Sequence, residues 1–322
     1  MSSENTKWKE GLLSSNMPLE LEAGGILASK GFTVGSEYKY KSASSDSIAS
    51  VALHAFGHTP FSDTNEMTTR LELPVMCGHR PQDSLWVFMP DPNPPESSPA
   101  ASRGVIRAVD SFSPWAFDPE VSVELEKAPP VCLKGIEINE TTGDVDADVV
   151  RRGIARLQGV LPRIFTENVL FFFTGRPDEN IPFIYCPVLL TTAQLFVLEK
   201  NSSPEQIENA SNIRDAASEA PYLALHSSYD PNFETECARE CARLEVLYKS
   251  DKAALIEQRK ARHHENRELL PFTIIDSLTG RNHAYLDYYF NRFIICSQKH
   301  FSNFMDDIKR AVESAAGARK AV

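Results

Sequence analysis

The sequence predicts an α/β fold with a helical C-terminal elaboration, and three observations carry that expectation. Three strand-sized apolar runs, residues 48–56, 70–79 and 85–90, follow one another, each bounded by Ser, Asp, Gly or Pro. A helical stretch, residues 19–30, precedes them, with Gly31 placed just past its end to close it. From residue 233 to 269 the text turns rich in Ala, Glu, Arg and Lys, which reads as helix with charged, solvated faces.

In chain order, residues 1–16 are polar and expected to be frayed. Asn16 is placed to cap the first helix and Pro18 falls in its first turn, with Leu19, Ile26 and Leu27 toward the core. The Gly24-Gly25 pair weakens that helix by roughly 1 kcal/mol per glycine relative to alanine, which suits close packing on a sheet. Residues 32–40 alternate enough for a half-buried strand. After the apolar runs come five prolines in residues 90–99, a composition that only a surface loop tolerates. Residues 105–130 read as irregular, anchored by Trp115 and Phe117. Residues 131–138 read as a strand, and 144–162 as an amphipathic helix with Val149, Ile154, Leu157 and Leu161 on one face. Residues 169–173, 183–190 and 193–198 are strand-like, and Ser203-Pro204 starts a helix. Within 233–269, Leu244, Leu247 and Leu255 are expected to turn inward. Residues 272–275 and 292–296 read as strands and 301–315 as a closing helix. The expected division is a frayed 1–16, an α/β core over 17–200, and a C-terminal elaboration over 201–322 packed on that core.

Composition narrows the function classes. With 42% hydrophobic and 24% charged residues and no apolar run long enough to span a bilayer, the chain reads as soluble, with no membrane partner. Residues 1–15 carry no apolar signal-peptide core, and the six cysteines contain no C-x-x-C pair, so a reduced, cytoplasmic chain is expected. A net charge of −11 argues against broad electrostatic adhesion to nucleic acid but leaves room for a local basic groove. G-x-S-x-G, Walker A, G-x-G-x-x-G and H-E-x-x-H motifs are all absent from the sequence.

The order and spacing of the first helix and the strands resemble the restriction-endonuclease-like superfamily, whose active site is a PD-(D/E)xK motif. The segments that carry the likeness are Ser50-Val-Ala-Leu-His54, Pro74-Val-Met-Cys-Gly-His-Arg80, Trp86-Val-Phe-Met-Pro90, Val131-Cys-Leu-Lys-Gly-Ile-Glu-Ile138 and Cys186-Pro-Val-Leu-Leu-Thr-Thr-Ala193. It spans roughly residues 17–296 and implies a mixed central sheet flanked by helices. It also implies a strand-end acid followed, on the next strand, by an acid-x-Lys. Two carboxylates there hold Mg²⁺ against the scissile phosphate while the lysine orients water. By this likeness Ala52 stands at the first acid, Met76 at the second, and Gly78 at the lysine. Alanine offers no ligand, a thioether is too soft for Mg²⁺, and glycine supplies no charge.

Neighbours could substitute. Glu72 shares a strand face with Met76 and Gly78 by alternation, Glu20 or Glu22 could reach over from the first helix, and His54 and His79 are further donors. No cofactor is expected from the motif as written, and Mg²⁺ only if such a migrated site works. Gln158 could assist nucleic-acid binding, as the resemblance implies, although a helix glutamine is more often simply exposed. His263 and His264 are adjacent and cannot chelate together on a helix; Cys237 and Cys241 alone make no zinc site. Two functions remain. One is a nuclease-fold protein that no longer cuts and binds nucleic acid or a protein partner. The other is a metal-dependent nuclease, hydrolysing phosphodiesters, with migrated ligands, or an inactivated variant of one.

Overall fold

Alternation along the strands sorts the side chains into two apolar layers in the computed structural model. It describes residues 6–35, 37–41, 48–61, 69–93, 107–109, 125–170, 183–228, 290–320 and scattered helical residues from 233 to 246. Where the sequence reads as frayed, Lys7–Leu13 forms a helix, α1, that buries no side chain. α2 (Met17–Ser29) buries Leu19, Ala23 and Leu27, one stripe at i, i+4, i+8. Gly31 follows with φ of 90°, the left-handed conformation that ends such a helix. Asn16 makes no side-chain cap to α2. Its Oδ1 instead accepts from the backbone N–H of His79 at 2.8 Å.

Each of the next two expected strands is divided. Residues 32–40 give β1 (Thr33–Gly35) and β2 (Tyr38–Lys41), and residues 48–56 give β3 (Ile48–Val51) and β4 (Leu53–Thr59). The register shows why. Thr33 pairs with Phe56, Gly35 with His54, Tyr38 with Val51 and Lys41 with Ile48, so the four strands are the two arms of one antiparallel hairpin in constant register. The hairpin bends at Ala52. β1 and β4 stay in the main sheet while β2 and β3 make a separate two-stranded sheet, so the expected strand 48–56 lies on two sheets.

β5 (Thr69–Gly78), β6 (Ser84–Pro90), β7 (Arg107–Val109), β8 (Val131–Asn139) and β9 (Val145–Asp146) lead to α3 (Val149–Leu170). β10 (Phe183–Tyr185), β11 (Val188–Thr191), β12 (Gln194–Leu198), α4 (Pro204–Asn209), β13 (Ala217–Glu219) and β14 (Tyr222–His226) follow. β15 (Arg292–Ser297) and α5 (Phe301–Lys320) end the described chain. Of the described strands, thirteen form one mixed sheet with the main order β1-β4-β5-β11-β15-β14-β8-β6-β12-β13. The fold is α/β, a large mixed sheet flanked by helices. β14 and β15 lie inside it, so residue 200 marks no boundary in the sheet.

Odd positions of β5 face one layer and even positions the other. Leu71, Leu73, Val75 and Cys77 join Leu19 and Leu27 of α2 and Phe304 and Ile308 of α5. Met76 joins Trp86 and, from α3, Val150, Ile154 and Leu157. The bent hairpin serves this second layer. It buries Tyr40 and Val51 against α3, and the Tyr38 hydroxyl donates to Glu167 on that helix at 2.5 Å.

Several elements depart from expectation for local reasons. Residues 144–148 are not the start of α3: Val145 and Asp146 pair with β8, and the Asp146 carboxylate accepts the Asp148 N–H at 3.0 Å. α3 then runs through Pro162 to Leu170, so Val169 and Leu170 end a helix instead of beginning a strand. Pro162 forfeits one helical hydrogen bond, which burial of Ile164 and Phe165 beyond it offsets. The strand expected over 183–190 breaks at Cys186-Pro187, since proline cannot donate to a ladder. Arg107–Val109, read as irregular, pairs with β10. Ser203 and Gln206 form the capping box that opens α4. Residues 94–100, Trp115, Phe117, 171–173, Leu244, Leu247, Leu255, His263, His264 and 272–275 lie outside the described residues. No described helix is long and apolar enough to cross a membrane.

One glycine in the sheet gives a direct stability prediction. Phe88 and Gly135 face each other across β6 and β8, and a Cβ on Gly135 would clash with the buried Phe88 ring. Gly135→Ala is therefore expected to lower stability by about 1–3 kcal/mol through overpacking. A thermal melt reads it, and an unchanged Tm would show that the ring can move aside.

Candidate functional site

β5 delivers Met76, Cys77 and Gly78 to the edge where the parallel pair β5 and β11 ends. The chain beyond is pinned by three side chains. Thr191 Oγ1 donates to the Gly78 carbonyl at 2.9 Å. Thr192 Oγ1 accepts the Arg80 N–H at 2.7 Å and donates to the Arg80 carbonyl at 2.9 Å. Asn16 takes the His79 N–H. The base of the Arg80 side chain is thus held by backbone hydrogen bonds on both sides of its Cα.

A pocket of about 150 Å³ opens at this edge. Met76 and Gly78 from β5, Trp86 from β6, and Arg80, Arg152 and Arg156 contribute to its wall. Val149, Arg152, Gly153 and Arg156 also line it, at i, i+3, i+4 and i+7 along the first two turns of α3, so the N-terminal end of that helix forms one side. Open grooves of larger volume lie elsewhere, along Glu199–Ala216 and beside Lys299 and Asp307, away from β5.

The pocket is rich in hydrogen-bond donors. Arg80 Nε lies 3.2 Å from a Glu137 carboxylate oxygen, but out of line, so that buried N–H has no hydrogen-bond partner. Arg152 holds Asp146 through both terminal nitrogens; this bond keeps the Asp146 carboxyl below its usual range and raises the guanidinium. Arg156 is exposed, and its guanidinium has no carboxylate partner among the described residues. Trp86 is 1% exposed, and its indole Nε1 is buried without a partner. Glu137 and Asp146 flank the arginines but do not line the pocket. Among the described residues Glu137 and Asp146 thus pair with Arg80 and Arg152 and leave the Arg156 guanidinium without a carboxylate partner, beside a helix end that itself attracts anions.

The residues singled out by the sequence are not all brought together. Met76 and Gly78 share the pocket. Ala52 continues the β4–β5 register to a position opposite Met76, but it sits at the hairpin bend and packs with the α2 layer. Glu20 lies near Cys77, where burial pushes the thiol up to about 12 and the glutamate charge adds to the shift. Cys77 belongs to the α2 layer, on the opposite face of the sheet from Met76. Glu22 accepts from the Gln298 side chain.

Glu72 is on the Met76 face but roughly 13 Å away along the strand, and both its oxygens are committed. Oε1 accepts from Arg70 Nε and Oε2 meets His54 Nε2, each at 2.6 Å. Gln158 is not exposed. It is 1% exposed and its Nε2 donates to the Phe290 carbonyl at 3.1 Å, which makes it a core hydrogen-bonding residue.

Mg²⁺ requires hard oxygen ligands in near-octahedral array, and a wall of guanidiniums, a thioether and an indole does not fit it. Among the described residues no group of three or more His, Cys, Asp or Glu is placed to hold a metal ion. Sequence reasoning missed Arg80, Arg152, Arg156 and Trp86. A signal for one of them was present: Arg152 falls, beside Arg151, in the first turn of α3, where a cation opposes the helix dipole by about 0.3–1 kcal/mol. Cations placed there against the dipole call for a nearby negative group. Set against known proteins, the chain matches no family model, no curated protein and no solved structure.

Proposed function

We propose that this chain is a restriction-endonuclease-like protein that has lost metal-dependent cleavage and acts as a nucleic-acid-binding module. The single observation that carries the reading is the arginine-lined pocket at the end of β5, where the resemblance places a catalytic acid and lysine. A guanidinium cluster disfavours a divalent cation and favours phosphate, which it can hold with no metal through charge-assisted, forked hydrogen bonds. Hydrolysis would also need a base to activate water. The nearest carboxylates, Glu137 and Asp146, are drawn to Arg80 and Arg152, and the lowered pKa of Asp146 makes it a weaker base still. A pocket wall so rich in donors fits a phosphate-bearing ligand better than a neutral protein surface, so nucleic acid is favoured over a protein partner.

The test is a cleavage assay on single- and double-stranded DNA and RNA with Mg²⁺ and Mn²⁺, paired with a binding assay in EDTA. No cleavage above background is expected, with binding retained in EDTA and weakened by salt. The triple variant Ala52→Asp, Met76→Glu, Gly78→Lys returns the motif letters, and a Cβ at Gly78 meets only the Leu190 carbonyl at 3.8 Å. It is expected to restore weak Mg²⁺ binding at most, because Ala52 packs toward the α2 layer, and any single restoration should do almost nothing. Robust cleavage by the unaltered chain, abolished by Glu72→Ala at a temperature where that variant is folded, would instead establish migrated ligands.

A further inference from the structure

Resting on that reading, we propose that the arginine pocket binds a terminal phosphate, the monoester at the end of a nucleic-acid strand, in preference to an internal diester. Size is the first argument. At about 150 Å³ the pocket is well below the roughly 300–1,000 Å³ that accepts a drug-sized ligand. It has room for a phosphate group and not for a base beside it.

Shape is the second. Buried Met76, Trp86 and Leu189 contribute to its wall. An internal diester must lead two ester oxygens out of the pocket, whereas a monoester leads out one and turns its other three oxygens inward. Donor supply matches that demand. The Arg80 Nε, ion-paired with Glu137 but not hydrogen-bonded to it, the open Arg156 fork, the Arg152 Nε not engaged with Asp146, and the unpartnered Trp86 Nε1 belong to residues that line the same small space.

Charge is the third. A phosphate monoester approaches a dianion at neutral pH, with a second pKa of about 6, while a diester carries one charge. The unbalanced guanidinium and the start of α3 therefore discriminate between them. The whole chain, at −11, repels a polyanion at long range, so affinity has to come from one enclosed group and not from many surface phosphates. A strand end, a mononucleotide and inorganic phosphate share this chemistry, and the experiment separates them.

The full chain in EDTA is titrated, by fluorescence anisotropy, into one internally labelled oligonucleotide carrying a 5′-phosphate, a 3′-phosphate or neither. At least one phosphorylated form should bind about tenfold more tightly than the hydroxyl form, the scale of one charge-assisted hydrogen bond. Arg156→Gln and Trp86→Phe should each remove that preference; the first alters an exposed side chain and the second keeps an aromatic ring in the core while removing the indole N–H, so both should fold. Arg214→Gln, over the Phe196 ring on the opposite face of the sheet from Trp86, should keep it. Equal affinity for all three ends would overturn the terminal-phosphate assignment and leave nucleic-acid binding standing. If no oligonucleotide binds, yet inorganic phosphate raises the Tm of the unaltered chain and not of Arg156→Gln, the strand-end source and the nucleic-acid function are overturned. The absence of both oligonucleotide binding and a phosphate-dependent Tm would overturn the pocket as a phosphate site.

Discussion

Deletion of residues 233–322 is expected to leave no folded protein. β15 lies between β11 and β14, pairing parallel with Val188–Thr191 and antiparallel with Tyr222–His226, so its loss splits the sheet near its middle. The same deletion removes Phe301, Phe304, Met305, Ile308 and Val312 of α5, all fully buried in the α2 layer, and Phe233, Phe290 and Phe293 from the opposite layer. Each such side chain contributes about 1.5–3 kcal/mol when buried, so the group together matches or exceeds the roughly 5–15 kcal/mol by which a domain is stable at all. The measurement is far-UV circular dichroism and gel filtration of the truncated chain. A soluble product with a cooperative melt would show that residues before 233 form an independent domain.

Glu72→Ala is expected to be the most damaging single substitution among the candidate site residues. Glu72 is 0% exposed, and its two oxygens hold Arg70 and His54; Arg70 also stacks over the Phe56 ring at 4.2 Å. Removing one partner of a buried ionic group leaves charge and donors uncompensated, a loss of about 3–5 kcal/mol. Arg70 and His54 each keep some solvent contact, which places the expected loss near the lower end, about 3 kcal/mol. Glu72→Gln keeps the shape and one acceptor, and should lose only about 1–2 kcal/mol. Urea unfolding of the two variants against the unaltered chain reads the difference. If Glu72→Ala melted like the parent, the carboxylate would be dispensable to the sheet and available for other chemistry.

That contrast bears on function as well. Alternation alone placed Glu72 on the same strand face as Met76, and so made it a candidate ligand. Alternation could not say that β4 lies alongside with His54 in reach, or that Arg70, two residues back on the same face, turns onto the same carboxylate.

Gln158 shows the same limit. Its helix was legible from the spacing of Val149, Ile154, Leu157 and Leu161, but what covers the glutamine is Phe290, 132 residues away. The pocket is the sharpest case. Arg80 follows β5, Trp86 lies on β6, and Arg152 and Arg156 ride on α3; no window of sequence holds them together.

Periodicity, caps and breakers are properties of short windows, and where they governed the outcome the sequence determined it. α2 closes at Gly31, the capping box at Ser203 opens α4, and strand-sized apolar runs make strands of Thr69–Gly78, Ser84–Pro90 and Val131–Asn139. The tertiary structure decided everything that depended on which distant surface an element meets. The hairpin bends at Ala52 because Tyr40 and Val51 gain burial on α3, α3 continues past Pro162 because core contacts outweigh one missing hydrogen bond, and β15 enters the middle of the sheet because only there are both its edges paired. Burial and pairing energies between residues far apart in the chain exceed local preference by several-fold. The strands and helices were therefore readable one by one, and the site they enclose was not.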